Sequence, residues 1–342
     1  MITLLCRELH RYTGDEFVGH FRDRLGGRFQ VLSYEQVFRA RALPVGHVIF
    51  SDFDRLTPFL REVAANMAAA LRQVAPEARI LNHPLRVKER YELLRALRLA
   101  GINDFDVARL DEGRRPERYP VFLRREDDAL GPETALIEDA AAFDRALAEL
   151  DAAQRPRKGR LWVEYRAQPG PDGLFRKFAA FRIGERIMPY HLQISEDWTV
   201  KSKSWNREAM NDAEELAFVR DDPHAETLRR VFDLAGIDYG RADYAVVDGQ
   251  VRVYEVNTNP NMPKKPRRSG RAERRALVQG RFLDWMLALD TPVAAQGWVR
   301  FRVPAPVQER LPTEAPLGLG RLIAGRWLAR SPRSARWHRR DG

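Results

Sequence analysis

Residues 239–262 read YGRADYAVVDGQVRVYEVNTNPNM. Two apolar runs flank Asp248-Gly249, the short-range signal of a β-hairpin. Yet Arg241 and Asp243 interrupt the first run, and Glu255, Asn257 and Asn259 interrupt the second. Residues two apart on a strand share a face, roughly 6.5 Å apart. Each polar set therefore starts on one face of its strand. A three-residue connection, Asp248-Gly249-Gln250, pairs Asp243 with Glu255 and brings their Cβ atoms to about 5 Å. A two-residue Asp-Gly turn sends them to opposite faces. In the paired case two carboxylates and an amide oxygen converge, and like charges at that range need a cation between them. Oxygen-only ligands suit Mg²⁺, which keeps water and shares phosphate oxygens, with Mn²⁺ as an alternative ion. Arg241 would reach the same phosphate as a bidentate donor. An Asn-Pro-Asn turn after a strand is ordinary by itself. Arg-x-Asp placed just before the hairpin is what makes the joint pattern specific.

The flanking sequence reads as strand and helix in alternation, with no internal repeat. Strands are expected at 47–51, 79–82, 120–124, 161–165, 178–183 and 186–188. Helices are expected at 58–74, with Thr57 as N-cap and Pro58 in the first turn, and at 87–100, closed by Gly101. Further helices are expected at 139–150, 212–220, 224–235 and 272–289. Strand, helix, strand in the first 84 residues suggests a small parallel α/β unit. From Thr291 onward Pro and Gly recur and the periodicity fades, which reads as a tail.

Composition narrows the class. The chain has 342 residues, 44% hydrophobic and 31% charged, as soluble globular proteins do. A single cysteine, Cys6, forbids an intrachain disulfide and fits a reducing compartment. The N-terminal apolar run is too short for a signal-peptide core, and Val63–Leu71 is too short for a membrane span. A cytoplasmic protein is expected. The net charge of +10 is uneven: residues 263–342 hold 18 Lys+Arg against 6 Asp+Glu, and residues 1–262 hold 40 against 42. Basicity therefore belongs to the C-terminal end and does not assign the folded body to nucleic acid. The basic segments, 264–275 and 320–340, together with a helical face of Leu319, Leu322, Ile323 and Trp327, read first as solvated arginine-rich tail. Docking of this end to a peripheral membrane surface, to RNA or to an acidic partner is the other reading. The seven histidines show no zinc-ligand spacing. His191 reads as packed or exposed rather than substrate-facing. WTVKSKSW at 198–205 interleaves aromatic and basic residues and is assigned to an acceptor pocket rather than to nucleic acid.

The hairpin resembles the metal-binding hairpin of the ATP-grasp superfamily, and is especially similar to those of D-alanine–D-alanine ligases and the ligases that add glutamate to ribosomal protein. Arg241, Asp243, Glu255, Asn257 and Pro260 match the pattern Arg-x-Asp, turn, Glu-x-Asn-x-x-Pro. The resemblance implies that Asp243, Glu255 and Asn257 hold Mg²⁺ and that Arg241 faces the transferred phosphate. It extends from about Asn82 to Leu289. Two ATP-contacting lysines of the family fall on Arg90, after Glu89, and on Arg124 in PVFLR. Both replacements keep the charge and change a point donor into a planar fork. The family's Gly-rich loop corresponds to REDDALGPET, where Gly131 is the only glycine. The strand LWVEY resembles the adenine-contacting hinge strand, which points to Glu164 and Tyr165. Arg176 matches a family arginine, and Leu174 stands where the family has Asp.

The resemblance implies an α/β protein: an ATP-grasp fold of two α+β lobes, preceded by a small parallel α/β domain. The expected division is 1–84, 85–290 and a basic tail 291–342. The implied activity is ATP- and Mg²⁺-dependent carboxylate–amine ligation through an acyl phosphate, on small-molecule or peptide carboxylate and amine substrates. An ATP-grasp kinase of a small molecule, and a catalytically reduced nucleotide-binding protein, stay open as alternatives. The sequence does not decide the oligomeric state.

Overall fold

The computed structural model describes residues 1–128, 131–200, 212–264 and 271–305. The first strand, β1 (Ile2–Cys6), is buried at every position, Cys6 included. A strand apolar on both faces belongs inside a parallel sheet covered by helices. It pairs in parallel with β2 (Phe29–Ser33) on one side. After the short β3 (Ala42–Pro44), β4 (His47–Phe50) pairs with its other side, and β5 (Ile80–Leu81) follows, giving the order β2-β1-β4-β5. The helix Pro58–Val74 crosses from β4 to β5. Thr57 caps it by accepting from the Leu60 N–H at 3.3 Å, and Val63, Ala64, Met67, Ala68 and Leu71 form its buried stripe.

A second, antiparallel sheet contains β6 (Val107–Arg109), β7 (Val121–Arg125) and β8 (Arg160–Glu164) in the order β6-β8-β7. Asp139 caps the helix Ala140–Ala152. That helix covers one face of the sheet through Phe143 and Leu150, packed with Val121, Leu123 and Trp162. The other face carries Phe122, Leu161 and Val163.

A third sheet, also antiparallel, contains β9 (Phe175–Ile183), β10 (Arg186–Ser195), β11 (Tyr239–Val247) and β12 (Gln250–Asn257) in the order β10-β9-β11-β12. Helices Asp212–Asp221 and Ala225–Ala235 lie on one face, where Phe178 meets Phe218 and Tyr244. The strands expected at 178–183 and 186–188 are longer than sequence suggested. β9 begins earlier, at Phe175, and β10 runs on past a break in register between Pro189 and His191, with Leu192 and Ile194 buried beyond it.

Asn82, at the end of β5, fastens the first sheet to the third. Its amide donates to the carbonyls of Phe50 and Tyr239 at 2.9 and 2.7 Å and accepts from the N–H groups of Asp238 and Tyr239 at 2.7 and 2.9 Å. The helix Ala272–Leu287 adds a second bond between them, with Phe282 against both Phe17 and Phe181.

Folded structure continues past Thr291, where the sequence suggests a tail. A last strand, β13 (Trp298–Arg300), pairs antiparallel with β3, and Val299, Phe301 and Val303 are buried. These three residues alternate with period two, a pattern hidden by the surrounding prolines. The basic runs at 265–270 and 306–342, the helical face of Leu319, Leu322, Ile323 and Trp327, and Lys201, Lys203 and Trp205 of WTVKSKSW lie outside the described residues.

Candidate active site

The β11–β12 turn has two residues. Val247 pairs with Gln250, and Asp248 and Gly249 take φ values of 51° and 72°. By strand parity that turn separates Asp243 from Glu255. They nonetheless pair directly, because β12 carries a β-bulge: Tyr244 faces Val253 and Asp243 faces Glu255, leaving Tyr254 as the extra residue. One inserted residue reverses the parity beyond it. Tyr254 is pinned in place. Its ring stacks on Phe105 at 4.8 Å and 9°, and its hydroxyl accepts from the N–H groups of Arg166 and Ala167 at 3.2 and 3.1 Å.

Four cations surround the two carboxylates. Arg241 grips Asp243 bidentately at 2.8 and 3.1 Å, and Lys177 Nζ lies 3.8 Å from Asp243 Oδ2. Arg90, the first residue of the helix Arg90–Leu99, and Arg124 on β7 both donate to Glu255 Oε2, at 3.0 and 3.1 Å. Burial by itself would raise the Glu255 carboxyl. Arg124, Arg90 and Lys177 outweigh it and hold the group well below the usual carboxylate range. Burial and the neighbouring Arg90 in turn lower Arg124, which still stays protonated. The side chains of Arg90 and Arg124 are 7% and 6% exposed, and the Nε of each is buried without a hydrogen-bond partner among the described residues. A buried unpaired donor costs about 1–3 kcal/mol. Two of them side by side are complementary to an anion from outside the chain.

A cavity of about 180 Å³ opens from this cluster between the second and third sheets. One end is walled by Phe122, Tyr165, Trp198 and Tyr254, and the other by Arg124, Lys177, Asp243 and Glu255. Such a slot suits a ligand with a flat apolar end and a polyanionic end.

The donor set fits a hard divalent cation. Asp243 and Glu255 supply carboxylates, and Asn257, two residues on, supplies an amide oxygen that accepts from the Asn259 N–H at 2.8 Å. Glu255 Oε1 has no hydrogen-bond partner among the described residues. No cluster of three or more His, Cys, Asp or Glu side chains with metal-binding geometry occurs among the described residues. A cation here would complete its shell from the amide, water or phosphate.

Of the residues singled out by sequence, Arg90, Arg124, Arg241, Asp243 and Glu255 come together. Tyr165 and Arg176 line the cavity, although Arg176 is tied to Asp172 and Glu214. Glu164 does not line it. Its carboxylate accepts from the Asp106 N–H at 2.9 Å and from Arg118 at 2.7 Å. Alternation on β8 aims Val163 at the cavity side and sends Trp162 and Glu164 the other way. Asn259 leaves the hairpin face for the segment that follows β1, its Oδ1 accepting from the Thr13 hydroxyl at 3.1 Å. Sequence missed Lys177, whose place beside Asp243 comes from pairing with a strand 66 residues later. It also missed Asp54, a carboxyl raised by burial against the pull of Arg90 and Arg55.

No family model matches this sequence, and no curated protein matches it. Solved structures do match. D-alanine–D-alanine ligase from Bacillus anthracis aligns with a TM-score of 0.50 at 12% identity, over 85% of this chain and 97% of that one. The chain has the ATP-grasp fold. A RimK domain ATP-grasp protein from Sphaerobacter thermophilus aligns with a TM-score of 0.46 at 16% identity, over 84% of this chain and 100% of that one. L-amino acid ligase from Bacillus licheniformis gives 0.39 at 11% identity, over 75% and 66%. The fold assignment rests on the first of these three. In ATP-grasp terms, the second and third sheets are the two lobes, and the parallel sheet is the small domain that precedes them. Among the described residues no helix is long and apolar enough to cross a membrane.

Proposed function

We propose that the chain is an ATP- and Mg²⁺-dependent carboxylate–amine ligase. The observation that carries this reading is the cavity between the lobes, aromatic at one end and lined at the other by cations around the Asp243–Glu255 pair. The adenine ring would lie among Phe122, Tyr165, Trp198 and Tyr254. The triphosphate would take the open Nε donors of Arg90 and Arg124 together with Lys177. Asp243, Glu255 and Asn257 would hold Mg²⁺, which neutralises charge on the phosphate oxygens when bound. Arg241 would bind the transferring phosphoryl group, for which its clamp on Asp243 fixes it in advance.

The chemistry places no demand on a side-chain nucleophile. A substrate carboxylate oxygen attacks the γ-phosphorus and ADP leaves. The resulting acyl phosphate is attacked by an amine, the C–O bond to phosphate breaks, and an amide and phosphate result. The chain's own contribution is orientation, charge and exclusion of water. We also propose a division into a small domain at 1–84, to which β13 returns, and ATP-grasp lobes at 85–290.

Isothermal titration with ATP and Mg²⁺ tests the site. Wild type is expected to bind with Mg²⁺-dependent affinity, and Asp243→Ala to lose that dependence. Equal ATP–Mg²⁺ affinity in the two proteins would overturn the assignment. Phosphate release that requires both a carboxylate and an amine separates ligase from kinase.

A further inference from the structure

The β10 edge of the third sheet holds two buried polar atoms that the reading above does not use. His191 Nε2 and Gln193 Oε1 are both shielded from solvent and without a hydrogen-bond partner among the described residues. A second β-bulge makes them neighbours of the site. Pro189 pairs with Ala180 and His191 with Ala179, so Tyr190 is the extra residue. The shift puts His191 in one cross-strand row with Ala179, Asp243 and Glu255. Gln193 pairs with Lys177, the lysine beside Asp243. Both bulges in this sheet thus turn a side chain onto the face that bears the two carboxylates, as bulges near functional sites do. At about 4.8 Å per strand, His191 stands roughly 10 Å from Asp243, with only the Ala179 methyl between them in the row.

We infer that His191 and Gln193 form the acceptor-amine subsite, with His191 Nε2 taking the proton that the attacking nitrogen must lose and Gln193 Oε1 holding its other N–H. The inference rests on the ligase reading. Two open acceptors on one face, about 6.5 Å apart along the strand, match an NH₂ group better than a hydroxyl, which offers one hydrogen.

The surrounding charge supports a neutral amine. The groups whose field reaches His191 are Arg241 from β11, Arg274 from the helix Ala272–Leu287, and Lys177 from β9. The nearby Glu215, on the helix Asp212–Asp221, is occupied by Arg274 at 3.3 Å and by Arg271 at 2.8 Å. Three cations disfavour an ammonium ion and favour the free amine, which is the nucleophilic form. Burial first, and then these same cations, lower His191 well below its ordinary value, leaving a lone pair on the ring at neutral pH. When an anionic acyl phosphate occupies the site, its charge offsets the cations and the ring's proton affinity rises at the step that needs it. The balance is complete. The N–C bond forms, the C–O bond to phosphate breaks, its electron pair leaves with phosphate, and one proton passes from nitrogen to His191 Nε2.

Two measurements on the full-length protein test this. The first is a ¹⁵N-histidine NMR titration of the complex with Mg²⁺ and a non-hydrolysable ATP analogue, using glycinamide, lysine and dialanine as amine probes. One histidine Nε2 resonance, absent in His191→Gln, is expected to shift with at least one probe in wild type. No shift with any probe overturns the subsite. The second is turnover with ATP and the twenty amino acids as mixed carboxylates. In His191→Gln, amide formation is expected to fall at least 100-fold and to lose its lower pH limb. KM for ATP and hydroxylamine trapping of the acyl phosphate should stay within threefold of wild type. In Gln193→Ala, amine KM should rise about tenfold with kcat within threefold. Amide formation within threefold of wild type in His191→Gln overturns the inference. A histidine shift without hydroxamate in wild type sustains the subsite and counts against ligation instead.

Discussion

Replacing Glu255 with Gln perturbs the site in a way whose size follows from its geometry. Glu255 Oε2 is the shared acceptor of Arg90 and Arg124, whose side chains are 7% and 6% exposed, while its own is 26% exposed. Removing one member of a buried pair costs about 3–5 kcal/mol, because the partner charge is left uncompensated. Here two guanidinium groups are left so. The partial exposure of Glu255 and the remaining amide oxygen of Gln reduce the loss, giving about 2–3 kcal/mol. At about 2–4 °C per kcal/mol for a domain of this size, thermal unfolding should drop by about 4–12 °C. The same change frees two arginines for phosphate. Tripolyphosphate without Mg²⁺ should therefore stabilise Glu255→Gln more than wild type, and Mg²⁺ should add nothing. The pH dependence carries a sign. The folded Glu255 carboxyl lies below its unfolded value, so its contribution is complete above about pH 4.3 and is lost as pH falls toward the depressed folded value. Glu255→Gln should lack that acid-side slope. Differential scanning calorimetry from pH 3 to 7, with and without tripolyphosphate, reads all three effects. A drop below about 1 °C, or equal stabilisation of both proteins by tripolyphosphate, would refute the claim that Glu255 is what holds these arginines in the absence of an anion.

Asn82→Ala removes four side-chain hydrogen bonds, three of which join the first sheet to the third. It leaves the carbonyls of Phe50 and Tyr239 and two N–H groups unpaired, so a loss of at least about 3 kcal/mol in urea unfolding is expected; a loss under 1 kcal/mol would show that water replaces the amide without cost. Truncation after Asp290 removes the buried Val299, Phe301 and Val303 and should be less stable than truncation after Ala305 by several kcal/mol, at about 1.5–3 per buried side chain. Equal melting temperatures for the two truncations would show that β13 does not contribute to the core.

The hairpin shows how far sequence reaches. Asp248-Gly249, flanked by apolar runs, specifies two paired strands and a tight turn, since few residues tolerate consecutive positive φ. The residue types Arg, Asp, Glu and Asn specify an oxygen-rich site with one fixed cation. The helix at 58–74 was equally legible, because Thr57 and Pro58 mark its start and its apolar spacing of three and four marks its buried face. What the sequence left open was parity. The two-residue turn by itself sends Asp243 and Glu255 apart, and only the bulge at Tyr254 restores them to one face. That bulge depends on Phe105 and on the N–H groups of residues 166 and 167, which belong to the facing lobe.

The same distinction separates the rest of the site. Arg90, Arg124 and Arg241 could be singled out because their positions match the ATP-grasp pattern that the sequence resembles. Glu164 matched as well, yet one step of strand alternation turned it toward Arg118. Lys177 and His191 carried no local signal, since each acquires its place from the partner across a ladder. Local sequence fixes dihedral preferences, apolar period and the kind of chemistry available. Which side chains share a face is decided by register and bulges between strands far apart in the chain, and those are settled only when the sheets pack.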